Sequence, residues 1–228
     1  MSKIVIAIDG FSSTGKSTVA KLLAKELGYI YVDTGAMYRA VTYFALVNGF
    51  VSENELDKEG LISELENIHI TFKFNPDLGF AEVYLNDENI EADIRTLKVS
   101  QHVSHIAEIS EVRRKLVQQQ QLMGKDKGVV MDGRDIATVV FPDAELKIFM
   151  TASAEKRATR RYKELLERGH NLSYDEVLQN VITRDEIDST REDSPLIKSE
   201  DAIEFDNSEM TIEEQLQAIR ALVEDKLK

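Results

Sequence analysis

The chain has no cysteine. Disulfides, thiolate catalysis and cysteine-ligated zinc are therefore excluded. Histidine is scarce: His69, His102, His105 and His170 show no metal-ligand spacing, and only His102 and His105 fall at i, i+3, without further partners. Surface or helix-packing roles suit them better than metal binding. No apolar run approaches the ~20 residues of a membrane span. The N-terminus enters an apolar strand almost at once, so no signal peptide is expected and the cytoplasm is the expected location. Positive charge is in deficit, 28 Lys and Arg against 41 Asp and Glu, for a net charge of -13. That excludes a general binder of nucleic-acid polymers or anionic membranes, which needs basic patches. A protein this acidic that handles phosphates must gather its cations locally. Internal repeats, low-complexity tracts and long linkers are also missing. The 228 residues, 43 % of them hydrophobic, suffice for a sizeable core, as one large domain or one domain with an insertion.

What is present centres on Gly10-Phe11-Ser12-Ser13-Thr14-Gly15-Lys16-Ser17. It fits Gly-x-x-x-x-Gly-Lys-[Ser/Thr], the loop that cradles nucleotide phosphates. Ile4 to Ile8 form the short apolar run of a buried parallel strand, and Val19, Ala20, Leu22, Leu23 and Leu27 recur at helical spacing after the loop. Strand, glycine loop and helix together separate this pattern from a Gly/Ser-rich turn before an ordinary helix. The glycines allow backbone N–H groups to approach an anion, and the following helix aims its positive end there. Lys16 is expected on the β- and γ-phosphates and the Ser17 hydroxyl on Mg²⁺, with the loop through Thr18 as the ATP-binding segment.

Along the chain, strands are expected at residues 29–32, 128–131, 146–150 and 202–205. Helices are expected at 53–65, over 97–123 with a break near Ser110, and at 154–167, 174–187 and 211–227, the last opened by the capping box Thr211-x-x-Glu214. A further helix follows Asp33-Thr34-Gly35 to about Val47. Between residues 67 and 95 the pattern changes: Ile68, Ile70, Phe72 and Phe74 alternate with polar residues, as in a half-buried antiparallel strand. The expected fold is α/β, a parallel sheet with helices on both faces and a small antiparallel β insertion. Ligands should gather at the carboxyl ends of the strands, where Gly10, Asp33 and Asp132 lie.

Four further groups carry charge to motif-like positions. In Asp33-Thr34-Gly35-Ala36-Met37-Tyr38-Arg39, Arg39 is either a bidentate phosphate clamp or a solvated helix residue, with Asp33 a plain cap. In Asp132-Gly133-Arg134-Asp135, Asp132 is placed like a strand-end acid supporting Mg²⁺. Arg134 is placed to meet an acceptor phosphate, and Asp135 to accept from an exocyclic amine. The competing reading is a turn with self-compensating charges. Arg157, Arg160 and Arg161 share a helix face, as a lid bringing cations to a transferring phosphate or as exposed partners of Glu155 and Glu164. Arg184, Asp188 and Arg191 recur at four and three, for gripping sugar and phosphate or as a salt-bridge ladder. A phosphate loop by itself specifies nucleotide and Mg²⁺. The guanine-reading Asn-Lys-x-Asp of signalling GTPases is missing, and arginines gathered on a short acidic chain suit transfer between two phosphorylated small molecules. Such transfer needs alignment and charge neutralisation rather than a general base.

The sequence closely resembles the bacterial cytidylate kinases over essentially its whole length. The resemblance rests on Ile8-Asp9-Gly10 leading into the loop, Asp33 to Arg39, Ile94-Arg95-Thr96, Asp132 to Pro142, and Arg184-Asp185 with Asp188. It implies a P-loop nucleoside monophosphate kinase using ATP and Mg²⁺ to phosphorylate CMP and dCMP, expected to be monomeric. It implies a monophosphate-binding region at about 34–125, its β insertion at about 67–95, and a helical lid at about 154–170. Thr34, Arg184 and Asp188 match the family's sugar-contacting positions, Arg39, Arg134 and Arg191 its phosphate clamps, and Ser104, Arg113 and Asp135 its cytosine readers. Arg157 and Arg161 resemble its lid arginines. The chain departs from the family pattern at Phe11-Ser12-Ser13-Thr14, where proline and smaller residues are usual. The remaining alternatives are a small P-loop kinase with another acceptor, of UMP/CMP or metabolite type, and a nucleotide-dependent binding module.

Overall fold

A computed structural model describes residues 3–52, 55–77 and 79–228. In chain order the elements are β1 (Val5–Gly10), α1 (Lys16–Leu27), β2 (Ile30–Asp33), α2 (Thr34–Val47), α3 (Lys58–Ser63), β3 (Ile70–Asn75), β4 (Phe80–Leu85), β5 (Glu88–Asn89), α4 (Leu97–Ala107), α5 (Ser110–Met123), β6 (Val129–Gly133), β7 (Leu146–Thr151), α6 (Ala154–Glu167), α7 (Tyr174–Thr190), β8 (Ile203–Asp206) and α8 (Ile212–Lys226). Five strands form one sheet in the order β2-β6-β1-β7-β8. β1 runs parallel to β6 and β7, and β7 parallel to β8. Parallel neighbours need crossover connections, and helices supply them.

β1 and β6 are buried along their whole length, because helices leave neither face to water. The main apolar cluster joins Ile6, Ile8, Ile148 and Met150 of the sheet to Val19 and Leu23 of α1 and to Ile219 and Val223 of α8. The paired central strands β1 and β6 stop together, Asp9 lying opposite Gly133, so Gly10 and Asp132 reach one edge of the sheet, while Asp33 ends the outer strand β2.

The chain divides into two compact units, residues 1–32 with 123–228, and residues 33–122. The first carries most of the large sheet. The second carries α2 to α5 and the antiparallel sheet β3-β4-β5, around a core that includes Ile70, Val83, Ile94, Ile106 and Leu116.

Three expectations are corrected. The helix expected over 53–65 is shorter, because Asp57 caps α3 by accepting from the Gly60 N–H and a 3₁₀ turn follows at Leu65–Asn67. Before it, Val51 and Leu56 pair in an isolated antiparallel bridge; Glu53 and Asn54 lie outside the described residues. Phe74 continues the alternation of β3 yet is 69 % exposed. It faces Ala81 across the ladder, whose methyl group is too small to cover a ring. Finally, α7 ends at Thr190, and Arg191 is its C-cap with extended backbone. Arg191 therefore leaves the helix face that its spacing from Arg184 and Asp188 predicts.

Gly10 is fixed by space as well as by its φ of +144°: a Cβ there would lie 2.0 Å from the Met150 carbonyl oxygen. Neither neighbour can yield, because both belong to the paired strands β1 and β7. Gly10→Ala is expected to cost about 3 kcal/mol or more, combining backbone strain with overpacking. Chemical unfolding measures this; a cost below about 1 kcal/mol would contradict the close strand approach.

Candidate active site

Residues 10–18 turn from β1 into α1 through left-handed or otherwise positive φ at Gly10, Ser13 and Gly15. Mixed-hand backbone of this kind makes an anion-binding concavity of N–H groups. Its carbonyl oxygens are held by side-chain donors. Lys16 Nζ and Thr14 Oγ1 donate to the Phe11 carbonyl at 2.8 and 3.1 Å. Arg157 Nη1 donates to the Ser12 carbonyl at 3.3 Å. The Thr14 carbonyl accepts from Arg160 Nη1 at 3.0 Å and from Asn207 Nδ2 at 2.7 Å. Ser12 Oγ is buried without a hydrogen-bond partner. Thr18 is exposed and belongs to the first turn of α1, its N–H donating to the Gly15 carbonyl at 3.1 Å. Phe11 lies edge-on to Phe149, ring centres 6.1 Å apart, and its ring is 5.1 Å from the Arg157 guanidinium. The residue that departs from the family pattern therefore packs against a cation of α6.

Behind the loop stand two acids. Asp132, 4 % exposed, accepts from Ser17 Oγ at 2.8 Å and from Tyr31 Oη at 2.9 Å. Asp9 accepts from the backbone N–H groups of Ile136 and Ala137 at 2.9 and 2.8 Å. Those residues open a short π-helix, Ile136–Val140, directly after Asp132-Gly133-Arg134-Asp135, and π turns of this kind recur at functional sites. Asp135 is itself buried. Burial pushes the Asp9 carboxyl up to about 7 despite its two N–H donors. Burial, seconded by Arg134, pushes the Lys16 ammonium down to about 7, with Asp132 and Asp9 opposing. A hydroxyl and a carboxylate side by side at Ser17 and Asp132 are hard oxygen donors of the type Mg²⁺ takes. Among the described residues no group of three acidic, histidine or cysteine side chains forms a protein-only metal cage.

Arginines from three segments of the first unit meet carboxylates here. Arg134 Nε donates to Asp188 at 2.7 Å. Arg157, 4 % exposed, makes a two-pronged pair with Asp185 at 2.9 and 2.5 Å. Burial works against the Asp188 charge, but Arg134 and Arg184 outweigh it and hold that carboxyl below its ordinary value. Burial pushes Arg184 down to about 10, in part because Arg134 and Arg161 stand near, and its Nε–H is buried without a partner. Arg161 pairs with Glu164 at 2.9 Å. Arg191 is buried, its Nε and Nη2 donating to the Ser194 carbonyl at 2.8 and 2.6 Å. Arg157, Arg160 and Arg161 thus do not share the exposed pairing with Glu155 and Glu164 that one reading of the sequence held; only Arg161 does.

In the second unit, Asp33 caps α2 by accepting from the Ala36 N–H at 2.9 Å and pairs with Arg95 at 3.0 Å. Burial opposes the Asp33 charge, yet Arg95 and Arg39 prevail and hold its carboxyl low. Thr34 is buried and Arg39 half-buried on α2. Ser104 is buried on α4. Arg113, 2 % exposed, donates to the Ala107 carbonyl at the end of α4 and stands 5.5 Å from the Tyr38 ring centre.

The family model described as cytidylate kinase matches residues 6–225. The chain belongs to the cytidylate kinase family. A cytidylate kinase of Flavobacterium johnsoniae is 64 % identical over 228 residues, covering 100 % of this chain and 99 % of that one. One of Bacteroides fragilis is 55 % identical over the full length of both. A solved structure of an uncharacterized protein from Eubacterium ventriosum shares the fold, with a TM-score of 0.50 at 12 % identity over 98 % of this chain and 99 % of that one.

For a cytidylate kinase family member, the sequence reading missed the groups that act through others: Asp9, Tyr31, Asp185 and Asn207. It placed Arg160 on the lid face with Arg157 and Arg161, and did not foresee its bonds to the Thr14 and Asn207 carbonyls. Asp9 and Asp185 stand inside the family-like runs Ile8-Asp9-Gly10 and Arg184-Asp185, which is the signal that marks them. Tyr31 and Asn207 carry none.

Lys16 yields a signed pH effect. Its depressed value leaves the ammonium about half formed near pH 7 and mostly neutral at pH 8. An anion in the cradle favours the charged form, so binding ATP at pH 8 is expected to take up about one proton, less toward pH 6. Titration calorimetry in buffers of different ionisation enthalpy counts that proton. Zero uptake or net release at pH 8 would contradict it.

Proposed function

We propose that the protein transfers the γ-phosphoryl group of ATP directly and in line to CMP and dCMP, giving CDP and dCDP. The observation that carries the reading is the meeting of Lys16, Arg134, Arg157 and Arg184 with Asp132, Asp185 and Asp188 about the 10–18 loop, in a chain of net charge -13. Family membership supplies the acceptor, since the relatives are named cytidylate kinase. Residues Gly10 to Thr18 are assigned to ATP. Lys16, Arg134, Arg157, Arg161 and Arg191 are assigned to neutralising charge as the phosphoryl group moves. Ser17 and Asp132 would hold Mg²⁺, which when bound offsets phosphate charge. The acceptor's sugar falls to Thr34, Arg184 and Asp188, its phosphate to Arg39, Arg134 and Arg191, and its base to Ser104, Arg113 and Asp135. A carboxylate such as Asp135 accepts from the exocyclic amine of cytosine, where uracil offers only a carbonyl.

No general base is invoked, because an acceptor phosphate has little proton to lose at neutral pH; alignment and electrostatics carry the rate. Residues 34–125 are proposed as the monophosphate-binding region, with the β insertion at 67–95, and residues 154–170 as a lid. Among the described residues no helix is long and apolar enough to cross a membrane. The proposal is of a cytoplasmic monomer acting on free nucleotides.

A coupled assay of ADP release across CMP, dCMP, UMP, AMP and GMP tests the reading. CMP and dCMP are expected to be the leading acceptors. Release without any acceptor would favour an ATPase, and none with any acceptor a binding module. Asp135→Ala is expected to cut the CMP-over-UMP preference about tenfold or more, the worth of one well-placed base contact. A wild-type preference would remove Asp135 from base reading.

A further inference from the structure

Asn207 lies far along the chain from the 10–18 loop, between β8 and α8, yet is 0 % exposed and every polar group it has is engaged. Its N–H donates to the Thr151 carbonyl at 3.0 Å. Its carbonyl accepts from Arg160 Nη2 at 2.8 Å, and its Oδ1 from Arg160 Nη1 at 3.1 Å. Its Nδ2 donates to Gln215 Oε1 at 2.8 Å and to the Thr14 carbonyl at 2.7 Å. Gln215 is buried as well, and its Nε2 donates to the Met210 carbonyl at 3.1 Å. The amide orientation follows from these partners, since a carbonyl oxygen can only accept.

Thr14 and Gly15 share one peptide group. That group is planar and trans, so its carbonyl and its N–H point in opposite directions. Fixing the Thr14 carbonyl against Asn207 and Arg160 therefore fixes the aim of the Gly15 N–H, away from both. Gly15 sits in the left-handed region at φ +92°. A glycine has many alternatives to that state, so contacts that hold the peptide group before it help to select one.

We infer that Asn207 is a positioning residue for phosphoryl transfer: with Arg160 it locks the Thr14–Gly15 peptide so that the cradle presents its amide to the donor's phosphates before nucleotide arrives. This rests on ATP being seated at the 10–18 loop. Asn207 touches no substrate, and its effect reaches the reaction only through the loop.

The test is Asn207→Asp, nearly the same shape but with a carboxylate facing the Thr14 carbonyl. Steady-state kinetics of the full chain, well below its unfolding temperature, are expected to show the KM for ATP raised about tenfold or more, while the KM for CMP stays within about twofold. A role confined to stability would lower Tm and leave both KM values alone; that result, or equal rises in both, overturns the inference. Where Asn207→Asp does not fold, Arg160→Met, at a half-buried helix position, must give the same ATP-specific rise, and an unchanged KM for ATP overturns it equally. Lys16→Ala run alongside separates the two levels. Loss of turnover there with an unaltered Asn207→Asp enzyme sinks the positioning role alone. Retained turnover in Lys16→Ala sinks the seat of ATP and the inference with it.

Discussion

Buried and half-buried cations held in place by neighbouring carboxylates are the constraint on which the candidate site depends. A lone guanidinium or ammonium out of water is costly, and burial here already pushes Lys16 and Arg184 down from their ordinary values. Pairing offsets that cost. Arg134 has Asp188, Arg157 has Asp185, and Lys16 feels Asp132 and Asp9. The acids do two things at once. They allow an acidic protein to keep positive charge in one place, and they hold each donor in a fixed geometry, as the proposed phosphate contacts require. Electrostatic stabilisation of a transferring phosphoryl group is greatest when donors need not reorganise.

The sheet makes this convergence possible. Its paired central strands β1 and β6 end level, so Gly10 and Asp132 arrive at one edge by topology. The helices after β7 and before β8 then return Arg157, Arg160, Arg184 and Asp188 to the same unit. Even the backbone serves. Asp9, inside β1, anchors the π turn that follows Asp132-Gly133-Arg134-Asp135, so the strand that leads into the 10–18 loop also ties down the turn that follows β6.

The cradle and its flanking elements were legible in sequence because their pattern is contiguous: apolar strand, spaced glycines, Lys and Ser, apolar helix. The capping box of α8, local by nature, was legible from Thr211 and Glu214 three apart; the equivalent box of α7, Ser173 with Glu176, was not read although its signal is the same. The supporting groups were not legible. Asn207 and Thr14 are separated by 193 residues, Asp9 and Ala137 by 128, and no periodicity links such pairs. Arg191 misled because i, i+3 spacing presumes a helix, and its backbone turns extended where α7 stops. Ser104 and Arg113 entered only through family resemblance; within α4 and α5 they read as a small and a charged helix residue, and their burial is a tertiary fact.

The central claim is that these cations are paired and ordered before any nucleotide binds. Nitrogen-15 NMR of the arginine side chains in the ligand-free protein tests it directly. The account expects the Nε–Hε signals of Arg134 and Arg157 to be resolved, shifted from free arginine and slow to exchange with water, and to lose those features in Asp188→Asn and Asp185→Asn respectively. Both signals merged with the envelope of solvent-exposed arginines in the unsubstituted protein would contradict it.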